Sequence, residues 1–282
     1  MVTLSRIFST IQGTFDGAIR GPVQPLCLNQ VRWDEDLFIY HHLGLGDMIH
    51  CNGMVRYLLK RLHSDRSVQV FCKTRNASMT RWMYRDEPRI RIIELDDGER
   101  EKPQVERILR QIRSNNYLCV GHRDLRPLLK QHPHLFFDEL FYLQLEIPYA
   151  SRYEECYWDR DLGEEERVFS KVAMNEPYAF VHDDPARGFS VDTSAIAIPI
   201  VRNDPTESLF HMGLVLERAS EVHCMESSIR CMIESLDMSR SRLYYHNFRY
   251  PERPLGTATR QKWISIEYTK EGRAIGASCP AN

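Results

Sequence analysis

The feature that most constrains this chain is a repeated alternation: strand-length apolar runs separated by helix-length amphipathic segments, occurring as two successive sets. Such a pattern builds parallel sheets flanked by helices. In the first set, Leu37–His42 (LFIYHH) reads as a buried strand, followed by the loop Leu43-Gly44-Leu45-Gly46-Asp47 and a helix from about Met48 to His63. Strand Val68–Cys72, helix Ser78–Arg85, strand Ile90–Leu95, helix Gln104–Ser114 and strand Tyr117–Val120 complete it. The second set runs through strand Tyr178–His182, a polar loop from Asp183 to Gly188, strand Ala195–Val201, helix Leu209–Ala219, strand Glu221–Cys224, helix Ser227–Leu236 and strand Leu243–His246. Trp263–Tyr268 reads as a final strand, and the aromatic, charged stretch Leu135–Arg160 as the connection between sets. The expected architecture is α/β, with two Rossmann-like domains facing across a cleft. An N-terminal extension covers 1–35, a first Rossmann-like domain 36–160 and a second 161–282.

Composition narrows the function classes. Lys+Arg total 37 against Asp+Glu 39, so no basic excess supports bulk binding of nucleic acid. No apolar run approaches the ~20 residues of a membrane helix. The first residues carry no apolar signal core, so a cytoplasmic, soluble protein is expected. The eight cysteines form no CxxC pair, which disfavours a zinc ribbon or a thioredoxin-type centre. They read as reduced, mostly buried small hydrophobes.

In open α/β sheets ligands bind beyond the carboxyl ends of strands, so the loops there are where chemistry is expected. Gly44-Leu45-Gly46-Asp47 stands at the end of the first strand. Glycines such as Gly46 let a backbone approach a ligand closely. As a dinucleotide fingerprint the stretch fails, because Ile49 stands where the third glycine belongs, and no GK[ST] follows for a P-loop. Asp47 has two open readings, a helix cap or a general base facing a bound substrate.

The stretch LGLGDMIHCNGMVRYL after the first strand resembles the N-terminal signature of heptosyltransferase-like glycosyltransferases. The resemblance implies the two-Rossmann GT-B fold, a nucleotide-sugar donor, no divalent metal or other cofactor, inversion at the anomeric carbon, and Asp47 as catalytic base. Glu226-Ser227-Ser228, between a strand and a helix, is similar to the segment of GT-B transferases that opens the helix under the donor pyrophosphate. Ser227 and Ser228 offer hydroxyls and amides to phosphate, and Glu226 an acceptor for ribose hydroxyls. Alternatively Ser227 simply caps the helix.

The loop His182-Asp183-Asp184-Pro185-Ala186-Arg187-Gly188 is similar to a strand-end loop of polysaccharide and capsid-glycan glycosyltransferases of bacteria and large algal DNA viruses. There Arg187 would neutralise the departing diphosphate, unless it is an ordinary surface arginine. His182 and Arg202 join the donor side, His42 and Arg123 the acceptor side. Asp183-Asp184 as a metal-binding pair is set aside because Arg187 follows closely. The partners implied are a nucleotide-sugar, with UDP-xylose favoured over GDP-fucose, and a glycan hydroxyl. The alternative is a non-catalytic nucleotide- or carbohydrate-binding protein on the same scaffold.

Overall fold

The computed structural model describes residues 23–122, 125–172, 177–248, 259–268 and 274–278. The first half is a four-stranded parallel sheet of β1 (Leu37–Tyr40), β2 (Val68–Lys73), β3 (Ile90–Leu95) and β4 (Tyr117–Cys119), in the order β3-β2-β1-β4. Strand β1 is central and every residue in it is buried, as a parallel strand covered on both faces requires. Its register sets Leu37 opposite Val68 and Phe38 opposite Tyr117. Helices α1 (Leu45–His50), α2 (Asn52–Leu59), α3 (Thr74–Met83) and α4 (Glu101–Gln111) follow the strands. The described part of the N-terminal stretch docks beside β4, where the Leu26 amide donates to the Tyr117 carbonyl and Val23 is buried.

The connection holds α5 (Leu125–Gln131), α6 (Phe137–Gln144) and α7 (Ser151–Glu154), followed by α8 (Leu162–Val172). The second sheet contains β5 (Ala179–His182), β6 (Ile200–Arg202), β7 (Glu221–Met225), β8 (Arg242–His246), β9 (Trp263–Tyr268) and β10 (Ala274–Ser278). Their order is β10-β9-β8-β7-β5-β6, parallel except for β10 at one edge. Helices α9 (Gly213–Glu217) and α10 (Ser228–Ile233) lie between its strands in sequence. Among the described residues, no helix is long and apolar enough to cross a membrane.

The architecture is the expected α/β pair of parallel-stranded sheets, but α3 and α4 begin ahead of the expected Ser78 and Gln104, and three further elements differ. The helix expected over Met48–His63 begins at Leu45 and breaks at Cys51 into α1 and α2. The strand expected over Ala195–Val201 shrinks to β6, because Ile196 donates into a turn closed on the Thr193 carbonyl and Pro199 has no amide to give a ladder. The helix expected over Leu209–Ala219 is a 3₁₀ turn at Leu209–Met212 followed by α9. At their junction a Cβ on Gly213 would lie 2.5 Å from the Glu165 carboxylate, so this backbone is pressed onto the Arg160–Glu165 ion pair.

Strand order locates the binding crevices. From β1 the chain moves to β2 and β3 on one side and returns with β4 on the other. From β5 it moves to β6 and then returns with β7. Each sheet therefore reverses at its own first strand, and the carboxyl ends of β1 and β5 are the topological switch points.

The halves meet where α1 packs on α10. A Cβ on Gly46 would stand 3.2 Å from Cys231 Sγ and 3.6 Å from the Ser228 Cα, so the two helices approach closely at this glycine. Elsewhere Trp82 of α3 stacks on Phe210 at 4.9 Å, and Trp158 meets the same ring edge-on.

Candidate functional site

At the first switch point β1 runs out through Tyr40 into His41 and His42. His41 is fully buried, with Nδ1 2.6 Å from the His42 carbonyl, and His42 is ringed by His122, Phe137 and Phe141. Burial lowers both imidazoles to about 4, so they are neutral near pH 7. Gly121 opposite has φ +79°, and a Cβ there would meet Phe141 at 2.6 Å. The position thus needs glycine for both its conformation and its space.

Beside these rings opens a groove of about 520 Å³ lined by Tyr40, Lys73, Arg100, Glu101, Lys102 and His122, among others. His122 stacks on Tyr40 at 4.3 Å with 14° between the planes. The Tyr40 hydroxyl donates to Glu101 at 3.3 Å, and Lys73 Nζ pairs with the same carboxylate at 2.9 Å. These groups come from β1, β2, α4 and the turn after β4, so no local motif announced them. Arg123, expected on this side, lies outside the described residues.

The turn after β1 caps α1 with Gly44, whose φ of −68° and ψ of 147° are extended. Asp47 is the third residue of that helix and not its N-cap, which corrects the capping alternative. Its carboxylate folds back, with Oδ2 2.8 Å from where a Cβ on Gly44 would be. Asp47 remains half-buried, and Gly46 beside it rests on Ser228 of the other half. The candidate base and the candidate phosphate segment thus share one seam.

At the second switch point His182 closes β5. Its Nδ1 lies 2.8 Å from Asn203 Oδ1, so that nitrogen carries the proton and Nε2 is left as an acceptor. Burial lowers its pKa, which keeps the ring neutral. Arg202 is bound to Asp183 at 2.5 Å, leaving its guanidinium partly occupied. Arg187 sits in the 3₁₀ turn Pro185–Arg187, exposed, 3.3 Å from Asp184.

Glu226 is drawn inward, accepting from Arg230 at 3.2 Å and from the Tyr245 hydroxyl at 3.1 Å. Ser227 is the N-cap of α10, its Oγ accepting from the Arg230 amide at 3.3 Å. Ser228 opens the helix facing Gly46. The structure therefore brings Gly46, Asp47, Ser227 and Ser228 together at the seam, with Glu226 turned to internal partners.

Beneath the seam lies a buried polar cluster that sequence spacing did not reveal. Arg152 of α7 pairs with Asp138 at 2.8 Å, and Tyr149 donates to the same carboxylate at 2.8 Å. Burial opposes ionisation of Asp138, but Arg152 and His50 outweigh it and hold the carboxyl well below its usual range. The Arg152 Nε donates to His50 Nδ1 at 3.1 Å, with Nη2 against the same nitrogen. Burial and the neighbouring Arg152 lower His50 to about 3.

A neutral imidazole that accepts at Nδ1 carries its proton on Nε2. That N–H points at Cys231 Sγ, 3.1 Å away, and the Cys231 thiol in turn donates to the Ser227 carbonyl at 3.1 Å. His50, Glu226 and Cys231 could by position surround a cation. Their chemistry does not fit one: Nε2 is protonated, burial raises the thiol pKa, and Arg152 and Arg230 stand beside the trio.

No family model and no curated protein matches this sequence. Among solved structures, the chain is similar to a glycosyl transferase family 9 protein from Veillonella parvula, with 9% identity, 86% of this chain and 89% of that one covered, and a TM-score of 0.52. It also aligns with the E. coli ADP-heptose lps heptosyltransferase II at 12% identity, over 85% and 92% of the two chains, with a TM-score of 0.49. At such identities the first likeness is one of fold, that of a two-sheet GT-B protein.

Proposed function

We propose that this chain is an inverting, metal-independent glycosyltransferase that moves a sugar from a nucleotide-sugar to a glycan hydroxyl. The observation that carries the reading is the seam itself: two parallel sheets, each reversing at its first strand, set the Asp47 turn of one against the Ser227-Ser228 turn of the other. The fold shared with a protein described as a family 9 glycosyl transferase supports it.

In the proposed reaction Asp47 takes the proton of the acceptor hydroxyl as its oxygen bonds to the anomeric carbon. The carbon–phosphate-oxygen bond breaks on the opposite face, so the centre inverts. Arg187, Ser228 and the Ser227 hydroxyl would offset the charge left on the nucleoside diphosphate, as fixed donors in place of a cation. Because α10 has six residues, its dipole adds little, and the side chains carry this task. His182, presenting Nε2 as an acceptor, suits a ribose or nucleobase N–H or O–H. The groove over Tyr40 and His122 suits the acceptor glycan, whose ring stacks on aromatic faces while its hydroxyls meet Lys73 and Glu101.

UDP-xylose is the donor we favour, with GDP-fucose next. A calorimetric and thermal-shift series over sugar nucleotides, followed by transfer assays, tests this. Asp47→Asn should abolish transfer while donor affinity persists; near-normal turnover would remove Asp47 from the role of base. The inward pairing of Glu226 and the Asp184 contact of Arg187 favour a second reading, a binding protein without turnover. Failure of the wild type to transfer or hydrolyse any donor that it binds would select that reading.

A further inference from the structure

We infer that His50 and Cys231 are positioning residues, a hydrogen-bonded link that fixes the helix bearing Asp47 against the helix bearing Ser228 and so holds the two halves together before any ligand arrives. The inference rests on the transferase reading for its catalytic consequence, and on geometry alone for the link. The chain of contacts is directional and crosses the seam once: Arg152 donates to His50 Nδ1, His50 Nε2 donates to Cys231 Sγ, and the thiol donates to the Ser227 carbonyl.

Both ends are anchored. Arg152 is held by Asp138, and Ser227 is the N-cap of α10, so a shift of the link moves the turn proposed to meet phosphate. The link also sets register, because Arg152, His50 and Cys231 are all buried, and Arg152 Nε is shared between Asp138 and His50. A polar contact of this kind resists sliding, since another register strands a buried donor. Gly46 brings the two helices into close approach beside the link. Arg230 adds a second crossing, with its guanidinium 5.5 Å over the ring of Phe136. The ends of β1 and β7 are thereby held in one geometry, which a direct-displacement reaction needs between its base and its leaving group.

Iodoacetamide labelling of the full chain, read cysteine by cysteine through peptide mass mapping, tests the link. In the wild type Cys231 should label at least about 100-fold more slowly than exposed Cys27, because it reacts only when the seam opens. His50→Leu should raise its rate roughly tenfold or more. His50→Gln should keep it slow, since the amide oxygen accepts from Arg152 and the amide N–H donates to sulfur. In transfer assays His50→Leu should lower kcat about 10- to 100-fold with donor KM nearly unchanged, and His50→Gln should restore it.

Cys231→Ala, a smaller change for the fold, should reproduce the kcat loss, and Cys231→Ser should rescue part of it. Wild-type Cys231 labelling as fast as Cys27, or His50→Leu and Cys231→Ala leaving labelling and kcat untouched, would overturn the assignment. If no sugar nucleotide is turned over, the transferase reading fails by itself, and the labelling comparison still decides the link.

Discussion

Single residues decide more of this molecule than their size suggests, and Gly53 is the clearest case. It sits inside α2, where alanine would ordinarily gain up to about 1 kcal/mol in helix propensity. A Cβ there would lie 2.2 Å from the Ser151 carbonyl oxygen and 3.0 Å from the Arg152 Cα. The obstacle is backbone of α7, which cannot rotate aside, so overpacking outweighs propensity. Gly53→Ala should therefore destabilise by about 1–3 kcal/mol, read as a lower midpoint in urea unfolding. A neutral or stabilising result would mean that α7 yields.

Asp47 teaches a related lesson. Its position in a turn after a strand was legible from GLGD, but the cap role went to Gly44, because the helix begins two residues before Asp47. Its carboxylate therefore stands in the first turn of α1 and folds back over Gly44.

At the scale of elements, the strands of highest apolar density were legible: β1, β3 and β5 fall inside the runs that alternation marks, and β2 and β7 overrun theirs by one residue. What misled was apolarity without burial. Ala195 to Ile198 is as apolar as a strand but is not buried; Ile196 donates into a turn on the Thr193 carbonyl, and Pro199 has no amide to give. The site divided in the same way. Local motifs exposed Gly46, Asp47, Ser227 and His182, which the fold places in or beside turns at strand ends.

The His182–Asn203 contact, the Lys73–Glu101 pair and the Arg152–Asp138 pair were not legible, because each joins partners across elements and leaves no spacing to read. The groove between β1, β2 and α4 depends on one such pair, Lys73 with Glu101. Lys73→Met should raise KM for the glycan acceptor about 5- to 30-fold, the cost of about 1–2 kcal/mol, and leave donor KM unchanged. Equal shifts in both constants would detach this groove from the acceptor.

Across the whole molecule, buried histidines set the response to acid. His41, His50 and His246 are lowered by burial to about 4, 3 and 3, below the ordinary 6.5. Between about pH 6.5 and pH 4 the unfolded chain binds protons there and the folded chain does not, so stability falls as pH falls. Each group contributes up to about 1.4 kcal/mol per pH unit within that window. Asp138, held low by Arg152, adds the same sign further down. Urea midpoints should thus drop markedly from pH 7 to pH 5; a flat profile would show that these rings take up protons inside the fold.

The aromatic junction away from the seam has an optical consequence. Trp82 comes from the first half and Trp158 from the connection, and both rest on Phe210 of the second half. Two of the four tryptophans therefore lose a ring neighbour if the halves separate, whereas Trp263 is held inside the second half with its indole N–H on Glu234. The emission of this protein is consequently an intrinsic gauge of how far apart its halves stand, with Trp33 and Trp263, each inside one half, as internal references.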